Sequence, residues 1–193
     1  MKLGLNVGTA LAAAMLMAAA AAQASVLTFY TSFAPEGAGG RTGSGSAVVT
    51  FDDVSHVLTY SGSFTGLSGL TTQSHFHCCT ATPFDGTTGI AVDTPSLTGF
   101  PLGVSSGSFN SSLDLDDPLN FTPAFLTASG GTADQAIARL LNGFYSHTAY
   151  LNIHSTTFPG GEIRGFIVPE PAGLALMALS LAALGATTRR KPA

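Results

Sequence analysis

Residues 149–168, AYLNIHSTTFPGGEIRGFIV, carry the pattern that decides the fold. Over residues 150–155, two sets of side chains alternate at a period of two, which is typical of a β-strand. One set is Tyr150, Asn152 and His154, and the other is Leu151, Ile153 and Ser155. Residues 159–161, Pro-Gly-Gly, supply a turn, because proline presets one φ angle and glycine tolerates positive φ. A second alternating run covers residues 163–168. The stretch therefore predicts a β-hairpin.

This hairpin contains two charged residues and three glycines for which we predict structural roles. Glu162 and Arg164 are expected on one face of the second strand, where the favoured interpretation is an ion pair that fixes the hairpin. A binding or catalytic pair is the alternative. Gly160, Gly161 and Gly165 are expected to serve backbone geometry, the first two at turn positions compatible with positive φ.

Three histidines are candidates for a metal site. His75 and His77 lie two residues apart in a predicted strand, so their rings face the same way, and His154 lies in the hairpin. Imidazole suits copper and zinc. The alternative is that the three rings hydrogen-bond within the sheet and hold loops. His147 is either a fourth ligand or unrelated to the site, and His56 is expected to be solvated in a turn.

The amino terminus predicts export. Residues 1–24 begin with a basic residue, continue with an apolar run over residues 11–22, and end in Ala-Gln-Ala. These are the three parts of a secretory signal peptide, which signal peptidase would remove after residue 24. A first membrane anchor is the alternative reading.

At the other end, Pro169-Glu170-Pro171 precedes an apolar run over residues 172–186 and the basic cluster Arg189-Arg190-Lys191. The basic cluster favours a cytoplasmic tail. These three parts, in this order over residues 169–193, resemble the PEP-CTERM sorting signal, with a transmembrane helix in its apolar part. The resemblance implies a Gram-negative bacterium, processing by an exosortase at the inner membrane, and delivery to the cell surface or extracellular matrix. A plain membrane tail anchor is the alternative.

Cys78 and Cys79 are the only cysteines in the chain. After export they would face an oxidising compartment. We favour a vicinal disulfide, and thiolate ligands that join His75 and His77 as the second choice; an intermolecular disulfide is the third. A catalytic thiol is disfavoured, because no Cys–His–Asn pattern of a recognised protease is present.

The segment between the two ends is acidic. Residues 25–168 contain three arginines, no lysine and ten acidic residues, which gives a net charge of 3 − 10 = −7. Such a surface disfavours nucleic-acid binding. Asp114, Asp116 and Asp117 could hold calcium, but the glycine and distal glutamate of an EF-hand loop are missing. A solvated turn is the favoured reading of this run.

Other segments predict many short strands and one helix. The predicted strands cover residues 26–33, 46–51, 57–64 and 74–78, with a possible edge at 89–103 and either one bent strand or two strands at 104–115. The helix is predicted at residues 133–142, with a capping box at Thr132 and Gln135 and with Gly143 at its end. Residues 118–123 are expected to be irregular. This pattern favours an all-β, antiparallel β-sandwich over residues 25–168.

The spacing H-x-H, then YLNIH and GGEIRG, resembles the CHRD (chordin-type) domain family over residues 26–168. The H-x-H strand and distant histidine are also similar to copper–zinc superoxide dismutase, whose further ligands have no match here. The fold is therefore expected to be immunoglobulin-like or superoxide-dismutase-like.

The family resemblance implies an exported, surface-sorted module that binds extracellular polysaccharide or protein, or has a structural role. The alternative is a copper or zinc protein that uses His75, His77 and His154, with redox activity as an open option. A simple matrix component is the third hypothesis. The chain shows no serine nucleophile elbow, phosphate loop or paired-carboxylate motif, so no reaction is assigned.

Overall fold

The computed structural model describes residues 25–92 and 96–170. The strands are β1 (Val26–Pro35), β2 (Ser44–Asp52), β3 (Val57–Thr65), β4 (Thr71–His77), β5 (Ile90–Val92), β6 (Gly107–Asp114), β7 (Tyr150–Ser155), β8 (Ile163–Phe166) and β9 (Val168–Pro169). The helices are a 3-10 turn at Pro118–Asn120, α1 (Pro123–Ser129) and α2 (Ala133–Tyr145). The predicted signal peptide and the predicted C-terminal helix lie outside the described residues. Within the described part, no helix combines the length and apolar character needed to cross a membrane.

The strands form one antiparallel sheet in the order β5-β4-β7-β8-β1-β2-β3-β6, with β9 added beside β1. The sheet curls into a half-barrel. The sequence predicted a sandwich, and the structure instead joins both halves through the ten-residue strand β1. Residues 26–33 of β1 pair with β2, whereas Ala34 and Pro35 pair with β8. Because one strand serves both halves, they remain a single continuous sheet.

Both predicted hairpins are confirmed. β2 pairs with β3 around a turn in which the Asp52 carboxylate accepts hydrogen bonds from the Val54 and Ser55 amides, both at 2.9 Å. β7 pairs with β8, and the amide of Gly161 closes the connecting turn on the carbonyl of Phe158 at 3.0 Å. Residues 107–114 form one strand, β6, which resolves the alternatives left open for that segment.

The hydrophobic core lies between the curled sheet and α2. Phe144 of α2 is fully buried, and its ring lies 5.0 Å from that of Phe29 in β1 and 6.1 Å from that of Phe76 in β4. Leu151 and Ile153 of β7 are also fully buried in this cluster. The helix therefore packs across several strands and closes one face of the sheet.

The helical content differs from the prediction in two respects. α1 was not predicted, although Thr122 caps it through a hydrogen bond from the Phe125 amide and Pro123 occupies its first turn. Gly143 does not end α2, which continues to Tyr145. The helix continues because Phe144 inserts into the core, and burial of that ring outweighs the weak helix propensity of glycine.

Candidate metal centre

The face of the sheet opposite the core carries polar and aromatic residues from three neighbouring strands, β4, β7 and β8. We call it the site face; its members are His75, His77, Tyr150, Asn152, His154, Arg164 and Phe166. The strand register places His75 opposite Asn152, and Asn152 opposite Arg164. Alternation along each strand therefore turns these side chains towards one region, as the sequence predicted for the histidines.

The structure brings His75, His77 and His154 together. One ring nitrogen from each residue lies within 4.8 Å of those from the other two. Nδ1 of His75 and Nε2 of His154 are 3.3 Å apart. The three residues are 1%, 8% and 8% exposed, respectively, so the cluster is shielded from solvent. We call these residues the histidine triad.

Two rings of the triad are oriented by backbone carbonyl groups. Nδ1 of His77 lies 2.8 Å from the carbonyl oxygen of Thr88, and Nδ1 of His154 lies 2.7 Å from that of Pro159. A carbonyl oxygen can only accept, so each Nδ1 carries the proton and each neutral ring presents a lone pair at Nε2. Histidine ligands of metals are commonly oriented in this way.

Nε2 of His77 is buried and has no hydrogen-bond partner within the described part of the chain. The pKa of His77 is lowered to about 4, chiefly because burial disfavours the charged ring, and the neighbouring His75 and His154 add to the effect. His77 is therefore neutral near pH 7. A neutral, buried imidazole with an unshared lone pair is suited to bind a cation.

Tyr150 and Thr88 hold His77 in place. The His77 ring stacks on the Tyr150 ring at 4.7 Å with an angle of 7° between the planes. The backbone amide of Thr88 donates to the Tyr150 hydroxyl at 3.3 Å, and the Thr88 carbonyl accepts from His77. The segment after β4 thus covers the part of the site face around His77 and Tyr150.

Asn152, which the sequence pattern did not single out, lies beside the triad. Its Oδ1 is 3.1 Å from Nε2 of His154. Its Nδ2 faces the other way, beside Gly161 and the carboxylate of Glu36. Asn152 therefore lies between the triad and an acidic group next to the end of β1. Alternation within β7 places Asn152 on the same face as His154, but its position opposite His75 follows from strand register, which single-sequence periodicity cannot supply.

Cys78 and Cys79 form the vicinal disulfide that the sequence favoured. The sulfur atoms pack against α2, at 3.9 Å and 3.8 Å from the carbonyl oxygen of Arg139. Gly143 leaves room for them, since a Cβ atom there would lie 2.5 Å from Sγ of Cys78. In this state the two cysteines offer no thiolate to the triad.

The predicted ion pair between Glu162 and Arg164 is wrong. Glu162 is fully buried and accepts hydrogen bonds from the amide and hydroxyl of Ser68, at 2.6 Å and 2.7 Å. Arg164 instead lies 3.4 Å from Oε1 of Glu36 and donates to the carbonyl of Gly86 at 2.7 Å. The prediction failed because Glu162 precedes the first residue of β8, where strand alternation does not apply. Each residue nevertheless ties the hairpin to a distant loop.

The three hairpin glycines have different roles. Gly161 has φ +120°, and an added Cβ would collide with the Glu36 carboxylate. Gly165 allows β8 to approach β1, because a Cβ there would overlap Thr31 and the Ser32 carbonyl. Gly160 does not have a positive φ, and an added Cβ would meet no atom within 4 Å. The structure therefore shows no geometric requirement for glycine at position 160.

The two remaining histidines lie outside the triad. His147 stacks on Phe84 at 4.5 Å and is not among the clustered ligands. His56 is partly exposed and its Nδ1 lies 2.6 Å from Asp116, with which it forms an ion pair when protonated. Together with Asp134, His56 and Asp116 form a second, mostly exposed group of potential metal ligands. The sequence did not indicate this grouping, because its members come from three separate segments.

The acidic run serves local structure. Asp114 accepts a hydrogen bond from the Asp116 amide, and Asp117 caps the 3-10 turn by accepting one from the Leu119 amide, both at 2.9 Å. These bonds agree with the favoured reading of a solvated turn.

Comparison with known protein families identifies one domain family that matches this chain. The model of the CHRD domain matches residues 23–167, which covers the whole described sheet up to the start of β9. No curated protein and no solved structure matches the chain at a significant level.

Proposed function

Because the chain belongs to the CHRD domain family, we propose that it is an exported binding module whose histidine triad holds one transition-metal ion. The observation that carries the metal assignment is the convergence of three buried ring nitrogens within 4.8 Å. Three imidazoles from two adjacent strands are a ligand set that zinc and copper accept.

A triad held only by hydrogen bonds explains less of the geometry. Among the three rings, hydrogen bonding accounts for the contact between His75 and His154, at 3.3 Å. It leaves Nε2 of His77 buried without a donor, which costs about 1–3 kcal/mol. A metal ion would use that lone pair, and the carbonyl groups of Thr88 and Pro159 already hold the two rings in the required tautomer.

Zinc is the first choice and copper the second. Both accept nitrogen ligands, and zinc adds no redox chemistry of its own. A copper ion bound by the same rings would be open to redox change, which keeps an electron-transfer role as the second candidate. The all-imidazole donor set of the triad accommodates both metals.

The two ends of the chain support export and sorting as the setting for this module. Residues 1–24 have the three parts of a signal peptide, and residues 169–193 have those of a PEP-CTERM signal. In this proposal, signal peptidase and an exosortase process the chain at the inner membrane. The module then resides at the cell surface or in the extracellular matrix, where it binds polysaccharide or protein.

Metal analysis of the purified protein tests the central part of the proposal. After equilibrium dialysis against zinc(II), we expect about one zinc per chain in the wild type. His77→Ala removes one ligand and should abolish tight binding, whereas His147→Ala removes an imidazole outside both ligand groups and should leave the stoichiometry unchanged. Absence of zinc and copper from the wild type after dialysis against either metal would refute the metal assignment.

A further inference from the structure

We infer that Asn152 supplies an oxygen ligand that closes the histidine triad into a four-coordinate centre. The inference rests on the proposed function, because it assigns the fourth ligand of the metal site proposed there. It also assigns a role: a metal with four protein ligands lacks an open position and stabilises the fold instead of activating a substrate.

The separations between ligand atoms fit this geometry. Ligand atoms bound at about 2.0–2.1 Å around a tetrahedral ion lie about 3.3 Å from one another. Nδ1 of His75 and Nε2 of His154 are 3.3 Å apart, and Nε2 of His154 and Oδ1 of Asn152 are 3.1 Å apart. Both distances match edges of such a tetrahedron, and one ring nitrogen of His77 lies within 4.8 Å of the ligand nitrogens of the other two histidines.

The chemistry of the contact between His154 and Asn152 also indicates a cation. Because Nδ1 of His154 donates to the Pro159 carbonyl, its Nε2 carries a lone pair. That lone pair faces the amide oxygen of Asn152, which is also an acceptor. Two acceptors at this distance repel each other unless a proton or a metal ion lies between them.

The other side of Asn152 explains the orientation of the amide. Its Nδ2 lies beside Gly161, on the side occupied by the carboxylate of Glu36. A carboxylate accepts only, so it favours the amide nitrogen on its own side and the amide oxygen towards the triad. Reversing the amide would place an oxygen near this negative charge.

Glu36 also contributes charge. Its Oε2 is buried and makes no hydrogen bond with the described residues, and its Oε1 lies 3.4 Å from Arg164. A centre of neutral imidazoles and an amide leaves the two positive charges of the ion uncompensated. The half-buried Glu36 carboxylate would offset part of that charge, and its ion pair with Arg164 reduces the effect.

Cobalt(II) replaces zinc and reports coordination number, because its visible absorption is intense in four-coordinate sites and weak in six-coordinate ones. We expect the wild-type protein to bind cobalt(II) with intense bands. Asn152→Ala should lower the affinity for cobalt by about 10–100-fold and shift the bands, since a water molecule replaces the amide oxygen as the fourth ligand. Asn152→Asp retains the shape and adds a charged oxygen, so it should bind cobalt more tightly with intense bands.

Gln73→Ala is the matched control, because Gln73 is an exposed amide directly opposite His154 on β4. It should leave both affinity and spectrum unchanged. If Asn152→Ala fails to fold, Asn152→Asp decides alone, and unchanged or lower affinity in that variant overturns the inference. Wild-type affinity and bands in Asn152→Ala would overturn it while leaving the triad intact. A wild-type protein that binds no cobalt would refute the proposed function as well.

Discussion

At the scale of single residues, the turn glycine Gly161 has the clearest conformational requirement. Its φ of +120° is rarely adopted by other residues, and a side chain there meets the Glu36 carboxylate. We predict that Gly161→Val destabilises the protein by about 1–3 kcal/mol, measured by urea unfolding.

Gly160→Ala is the control for Gly161, since an added Cβ at Gly160 meets no atom within 4 Å. Its stability should stay within about 0.5 kcal/mol of the wild type. Equal losses in both variants would show that general turn flexibility, and not the left-handed conformation, determines stability at this position.

His56 is a residue for which pH dependence can be predicted. Its pKa is raised, chiefly by the hydrogen bond to Asp116. The stabilisation from this contact is therefore fully present below the unfolded-state pKa, about 6.5, and is lost as pH rises through the raised folded-state pKa. Asp116→Asn should lower stability more at about pH 5.5 than at about pH 8.5 in chemical unfolding.

Asp85→Asn provides the comparison, because Asp85 is not among the charges that act on His56. It should change stability equally at both pH values. A stability difference for Asp116→Asn that does not vary with pH would contradict the assigned interaction.

At the scale of elements, the contact between α2 and the disulfide sets two effects against each other at Gly143. Alanine favours a helix over glycine by about 1 kcal/mol. An added Cβ, however, would lie 2.5 Å from Sγ of Cys78 and 3.0 Å from that of Cys79, and such overpacking costs about 1–3 kcal/mol. We predict that Gly143→Ala lowers the melting temperature.

Asn142→Ala tests the propensity effect alone, because Asn142 is the exposed neighbour of Gly143 in the same helix. It should raise the melting temperature slightly. A stabilised Gly143→Ala protein would mean that α2 does not pack closely on the disulfide.

Local pattern identified most elements but missed features that depend on distant residues. Alternation in β7 predicted the hairpin strand and a common face for Asn152 and His154. It could not reveal that Asn152 lies opposite His75, since this requires the register between β4 and β7. It could not place Glu36 beside Arg164 either, because that contact joins the end of β1 to β8.

The missed helix α1 is a different kind of error. Its signals were local: a threonine cap, proline in the first turn, and Gly130 with φ 116° after its last residue. The segment is only seven residues long, too short for a clear apolar stripe. Its existence depends on packing of Phe125 into the core, which the sequence pattern does not show.

At the scale of the whole molecule, the half-barrel follows from the pairing of β1 with strands on both sides. Sequence pattern predicted the antiparallel strands, but it could not distinguish two packed sheets from one curled sheet. The choice depends on where β1 changes partner, at residues 33–34, and that is a property of long-range pairing. The triad then lies on the face opposite the core.

The proposed export and sorting determine where the mature chain should begin and end. If residues 1–24 are a signal peptide and residues 169–193 a sorting signal, the mature protein begins at Ser25 and lacks its terminal apolar segment. Mass spectrometry of protein released from the cell surface should detect neither residues 1–24 nor residues 174–193. Detection of both intact termini in the exported protein would refute this processing.

The most direct measurement is anomalous X-ray diffraction at the zinc absorption edge from crystals of the zinc-dialysed protein. We predict one strong peak, about 2.0–2.1 Å from Nε2 of both His77 and His154. His75 and Asn152 should complete the coordination. A zinc-dialysed crystal with no peak at the triad, or with its strongest peak elsewhere on the protein, would contradict the account.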